Sequence, residues 1–155
     1  MAARRALIVD DNKRLAETLA GILCDTGFEV AVVSSGVQAL IAWREQPADL
    51  VILDVDLPDI RGVTLARRLL RRAAGCDVVV TSAGDPERLL PLCEEMGAIF
   101  LPKPFSRAHF AAAMQTLARK EAGRTAAAAS GPRRLLGSRR PRALLQHSRP
   151  MHAGN

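Results

Sequence analysis

Leu50-Val51-Ile52-Leu53-Asp54-Val55-Asp56-Leu57-Pro58 decides how this chain is read, because four consecutive apolar residues run into an aspartate and then a turn. A run without polar alternation fits a strand covered on both faces, as in a parallel sheet. Four more such runs lie outward from it, at residues 6–10, 28–33, 78–82 and 99–103. Helical periods separate them. Leu15, Leu19, Ile22 and Leu23 keep one face of a first helix that Gly27 closes, and Val37, Leu40 and Ile41 mark a second. Val63, Ala66, Leu69 and Leu70 mark a third, ending near Gly75. Asp85-Pro86-Glu87 opens a fourth with a cap, a proline at the first helical position and an acid in the first turn. Pro91 inside it predicts a kink or a later start. Ser106 caps a fifth, with Phe105 and Phe110 in staple register and Ala113, Met114 and Leu117 along its stripe. Five strand–helix repeats predict an α/β fold with a doubly wound parallel sheet.

With 155 residues, 48% hydrophobic and 25% charged, the chain suits one compact domain, placed at residues 1–121. No apolar run approaches the ~20 residues of a membrane span. The start has only four apolar residues before two aspartates, which does not make a signal peptide. A cytoplasmic protein without membrane contact is expected. Cys24, Cys76 and Cys93 are odd in number and set among apolar neighbours, so they read as reduced core thiols. The formal charge of +6 is uneven, because every charged residue beyond 121 is an arginine: Arg124, Arg133, Arg134, Arg139, Arg140, Arg142 and Arg149. Taking those seven from 22 basic residues leaves 15 against 16 acids, so residues 1–121 carry about −1. Residues 122–155 hold Gly, Ala, Ser, Pro and Arg with two Leu-Leu pairs, too little apolar surface to offset ordering, and are predicted to be disordered. Seven arginines suit nonspecific phosphate contacts, but no helix-turn-helix or aromatic platform accompanies them, so a solubilising tail is preferred over nucleic-acid binding. Arg67, Arg68, Arg71 and Arg72 read as a solvated helix face, and His109, His147 and His152 lack ligand spacing.

In a parallel α/β sheet, functional groups gather at the carboxyl ends of the strands. Asp10 and Asp11 end the first strand here, Asp54 the third, Ser82 the fourth and Lys103 the fifth. Three carboxylates brought together repel unless a cation neutralises them, and hard oxygen donors favour Mg²⁺. Asp54 is the nucleophile candidate, Lys103 supplies positive charge to a transferred phosphoryl group, and the Ser82 hydroxyl donates to one of its oxygens. Taken singly, Asp11 reads as a helix cap, and Asp54 and Ser82 as turn residues. Their joint placement favours chemistry.

The motifs Leu7-Ile8-Val9-Asp10-Asp11-Asn12, Ile52-Leu53-Asp54-Val55-Asp56-Leu57-Pro58 with Gly62, Thr81-Ser82-Ala83 and Lys103-Pro104-Phe105 together resemble the receiver domain of bacterial response regulators, over residues 5–121. The resemblance is to the stand-alone, two-component type. It implies a flavodoxin-like (βα)5 fold with strand order 2-1-3-4-5. It implies phosphoryl acceptance at Asp54, with Mg²⁺ on Asp10, Asp11, Asp54 and the Asp56 backbone carbonyl. Ser82 matches the switch hydroxyl, with Thr81 the alternative for it and a further catalytic-site candidate, Phe100 matches the aromatic switch and Lys103 the family lysine, with a cis Lys103-Pro104 bond. The implied donor is a histidine kinase or histidine phosphotransfer protein. The implied readout is a downstream protein at the fourth helix, fifth strand and fifth helix, with no nucleic acid. A phosphoacceptor is expected, not an enzyme, with at most self-phosphotransfer and autodephosphorylation. Asp54-Val55-Asp56 also resembles the motif of haloacid-dehalogenase-like phosphatases, which place it on the first strand.

Overall fold

The computed structural model describes residues 2–72 and 75–131. Strands β1 Arg4–Val9, β2 Phe28–Val33, β3 Leu50–Asp54, β4 Asp77–Ser82 and β5 Ile99–Pro102 form one parallel sheet in the order β2-β1-β3-β4-β5. Helices α1 Lys13–Asp25, α2 Gly36–Glu45, α3 Gly62–Arg72, α4 Pro86–Met96 and α5 Arg107–Ala129 alternate with them. This is the doubly wound, flavodoxin-like arrangement expected from the sequence. Strand order reverses between β1 and β3, and that switch point sets where a site forms.

The strand period of two sorts the core into two layers. Leu7, Val9, Val51, Leu53, Val78 and Val80 face α2, α3 and α4 through Ala39, Trp43, Leu65, Leu69 and Cys93. Ala6, Ile8, Leu50, Ile52 and Val79 face α1 and α5 through Leu19, Leu23, Phe110 and Leu117. Each large aliphatic side chain so buried contributes about 1.5–3 kcal/mol. Helix starts follow local chemistry. Asp85 accepts the Glu87 N–H at 3.0 Å with Pro86 at the first helical position. Ser106 and His109 form a reciprocal capping box at 3.1 and 3.2 Å, and the Phe105 and Phe110 rings stack 6.4 Å apart. Gly27, at φ +91, takes the left-handed backbone that closes α1.

Four expectations are corrected. The predicted disorder does not begin at residue 122: α5 continues to Ala129, because alanine is the strongest helix former and Arg124 is tied to Asp77 at the start of β4, on the sheet face that α5 covers. The rest of the predicted disordered tail, with Arg133, Arg134, Arg139, Arg140, Arg142, Arg149, His147 and His152, lies outside the described residues. α4 does not start late at Pro91. It begins at Pro86 and continues past Pro91 to Met96, and Glu87, whose carbonyl Pro91 leaves without its helical donor, is an exposed residue. On α2 the side chains turned inward are Ala39 and Trp43, while Val37 and Ile41 remain 52% and 53% exposed. Cys76 and Cys93 are core thiols as expected, but Cys24 is exposed on α1.

Candidate functional site

Asp10 follows β1 and Asp54 ends β3, and since Val9 pairs with Leu53 the two aspartates emerge side by side at the switch point. Both residues are only 3% exposed. Asp11, the next residue, is exposed. Its competing role as helix cap is taken by Asn12, whose side chain accepts the Leu15 N–H at 3.1 Å. One oxygen from each of Asp10, Asp11 and Asp54 lies within 4.8 Å of the others. Each buried carboxylate is aimed by a backbone donor: Asp10 accepts the Asn12 N–H at 2.8 Å and Asp54 the Asp56 N–H at 2.9 Å.

Lys103 lies one residue beyond β5. Its N–H donates to the Ser82 carbonyl at 2.7 Å, and the Lys103-Pro104 bond is cis. The ammonium reaches back over β4 and sits 3.1 Å from both Asp10 Oδ2 and Asp54 Oδ2. Burial pushes the Asp54 carboxyl above its ordinary value, although the Asp56 N–H and Lys103 oppose this. Burial also opposes the charge on Lys103, but there the hydrogen bonds to Asp10 and Asp54 and their charges prevail and raise its pKa. The result is a charged lysine beside a poorly solvated carboxylate, a suitable state for a nucleophile.

One ammonium cannot neutralise three carboxylates. The remaining negative charge, displayed on oxygen donors alone, fits a hard divalent cation such as Mg²⁺.

Ser82 ends β4, 1% exposed, and its hydroxyl donates to Asp56 Oδ2 at 3.1 Å while accepting the Gly84 N–H at 2.9 Å. Thr81 is equally buried, yet its hydroxyl has no partner among the described residues. Strand parity separates them. Val80 pairs with Phe100 across β4 and β5, and Ser82, two residues on, shares the Val80 face, whereas Thr81 points to the opposite layer. Phe100 is half-buried against the layer that contains Val80 and Cys93. It stands behind Ser82 and outside the charged cluster.

Three contributions were not read from the sequence. The Asp56 side chain holds Ser82, a contact across 26 residues, where the sequence reading used only its carbonyl. Gly62 opens α3 against the loop that follows Asp54, where an added Cβ would fall 2.4 Å from Val55 Cα and 2.7 Å from the Asp54 carbonyl oxygen. Asp59 accepts the Gly36 and Val37 N–H groups at 2.8 and 2.9 Å and so caps α2 from the loop before α3. Only the motif glycine carried a sequence signal. Asp54-Val55-Asp56 follows the third strand, not the first, which is not the phosphatase arrangement. Among the described residues no helix is long and apolar enough to cross a membrane.

The family model described as "Response regulator receiver domain" matches residues 6–115. The chain is 41% identical over 103 residues to the DNA-binding response regulator MtrA of Mycobacterium tuberculosis, covering 66% of this chain and 45% of that protein. It is 40% identical over 116 residues to the transcriptional regulatory protein CreB of Escherichia coli, covering 73% and 50%. The chain thus spans about half the length of the curated relatives it matches. Among solved structures, the non-phosphorylated HemR receiver domain from Leptospira biflexa superposes with a TM-score of 0.65 at 32% identity, covering 74% of this chain and 93% of that one. A CheY-like receiver domain from Methanospirillum hungatei shares the fold with a TM-score of 0.70 at 22% identity, covering 79% and 99%.

Proposed function

The chain belongs to the response regulator receiver domain family of two-component systems, and from that premise we propose that Asp54 accepts a phosphoryl group from a phosphohistidine. The observation that carries this is the ammonium of Lys103 at 3.1 Å from both Asp10 and Asp54, beside Asp11. An Asp54 oxygen attacks phosphorus, and the new P–O bond forms as the P–N bond breaks with its electron pair left on the imidazole. Burial keeps the attacking carboxylate poorly solvated, and the Asp56 N–H fixes its second oxygen. Lys103 faces the charge that arrives on the phosphoryl oxygens. Asp10, Asp11, Asp54 and the Asp56 carbonyl would hold Mg²⁺, which when bound neutralises charge between the carboxylate and the incoming group.

The acyl phosphate adds about −1.5 to −2 charge, by analogy with other phosphorylated side chains. It competes with Asp56 for the Ser82 hydroxyl, and as Ser82 moves away, Phe100 turns into the space behind it. The shift is read by a downstream protein on the α4, β5 and α5 face. The donor is a histidine kinase or a histidine phosphotransfer protein, and the setting is the cytoplasm. The chain is a stoichiometric acceptor, not a turnover enzyme.

Incubation with acetyl phosphate and Mg²⁺ followed by intact mass tests this. One phosphoryl adduct is expected on the wild type and on Thr81→Val, and none on Asp54→Asn. An adduct that persists in Asp54→Asn, or sustained hydrolysis of phosphomonoesters, refutes the assignment.

A further inference from the structure

We propose that the groove between α2 and α3 is a docking surface for an acidic, amphipathic helical segment of a partner protein. The starting point is a helix with two apolar faces. α2 turns Ala39 and Trp43 into the core, yet Val37 and Ile41, one turn apart, stay more than half exposed. A helix that needs one apolar face for its own fold gains nothing from a second one left in water. These two residues line a groove of about 580 Å³ whose inner wall is Trp43 and Leu69.

The rim is basic. Arg44 on α2 and Arg68 and Arg71 on α3 line the same groove, and none of the three forms an ion pair among the described residues. α3 contains no acid, and the single acid of α2, Glu45, lines a different depression beside Arg5. Arg67 and Arg71, and Arg68 and Arg71, stand at helical neighbour spacing, where like charges destabilise a helix. Among the described residues only Arg67 of these three is relieved, by Glu95 at 3.8 Å.

An apolar pair one turn apart between unpaired guanidinium groups complements a helix with apolar residues at i and i+4 and carboxylates on its flanks. The chain's own distal segment has the wrong sign, since its charged residues are all arginines. A nucleic acid would satisfy the arginines but leave Val37 and Ile41 against sugar and phosphate. The groove involves none of the residues that surround Asp54, so the proposal stands whether or not Asp54 is phosphorylated.

Trp43 makes the test direct, because it is the sole tryptophan in a chain without tyrosine. The full chain is titrated with a synthetic helical peptide bearing leucines at i, i+4 and i+7 flanked by glutamates, and Trp43 emission is followed. A saturable change that weakens with salt is expected. Affinity should drop about tenfold or more in Arg68→Glu/Arg71→Glu, which retains every arginine beyond residue 121. It should also drop in Ile41→Ser and for a peptide with serines in place of the leucines. All three substituted positions are exposed, and unchanged thermal unfolding of the variants verifies that the fold is kept. No saturable change, or equal affinity in the charge-reversed variant, overturns the proposal. So does an equal response to duplex DNA that Ile41→Ser leaves intact, or self-association of the chain that Ile41→Ser abolishes.

Discussion

Arg124→Ala should destabilise the domain while leaving the phosphoryl acceptance proposed for Asp54 untouched. Asp77 opens β4 at the end of the sheet opposite Asp54 and is only 8% exposed. Its carboxylate has a single hydrogen-bonding partner among the described residues, the Arg124 guanidinium, which meets it through three contacts of 3.2 Å. A fully exposed pair contributes at most about 1 kcal/mol, whereas removing one member of a fully buried pair costs about 3–5 kcal/mol. Here the acid is buried but the arginine side chain is 51% exposed, which lets water replace part of what is lost. About 1–2 kcal/mol follows, or a fall in Tm of about 4–8 °C for a domain of this size. The assay is denaturant unfolding of wild type, Arg124→Ala, Asp77→Asn and the double variant, arranged as a cycle that isolates the pair. Because Ser82 lies at the other end of β4, roughly 17 Å away at 3.3 Å per residue, the acetyl phosphate reaction should proceed unchanged. A coupling energy near zero, or an unfolding midpoint that Arg124→Ala does not move, would refute the view that this pair anchors the end of α5.

Gly62→Ala places a methyl against backbone at Val55 and Asp54, so it should cost about 1–3 kcal/mol and slow phosphorylation, as read by denaturation and intact mass. At pH 8 iodoacetamide should modify Cys24 alone in the native protein and all three cysteines in denaturant. Burial pushes the Cys76 thiol up to about 12, leaving about one thiolate in ten thousand, and raises Cys93 as well. Rapid native labelling of Cys76 would contradict the core assignment. The Val37 and Gly36 N–H groups hold the Asp59 carboxyl below its ordinary 3.8. Its stabilising contribution is therefore complete above that value and lost as pH falls through the lowered one, so the stability gap between wild type and Asp59→Ala should be constant near neutrality and close only in strong acid.

The strands were legible because parallel strands covered on both faces must be apolar throughout, and 50–53 and 78–80 satisfy that without interruption. Asp10, Asp54, Ser82 and Lys103 were legible because each sits where such a run stops. The far end of α5 was not, since residues 122–129 have no apolar stripe and their anchor, Asp77, is 47 residues away. The orientation of α2 was also hidden. Val37 and Ile41 mark the helical period as well as Ala39 and Trp43 do, and periodicity alone does not say which of two apolar faces turns inward. The Asp56–Ser82 and Asp59–α2 bonds are tertiary, so no local pattern encodes them.

The acidic pocket draws on the ends of β1, β3, β4 and β5 and exists only when those strands are joined. Any ligand that enters it therefore binds the native chain and not the unfolded one, which raises the unfolding free energy by about 2.7 kcal/mol at one hundred times its Kd. Melting temperature thus becomes a binding isotherm for this domain, readable without label or partner. The same linkage runs backwards: loosening the Arg124–Asp77 contact at the opposite end of β4 would weaken apparent affinity at the pocket once unfolded chains become populated, with no change in any atom that touches the ligand.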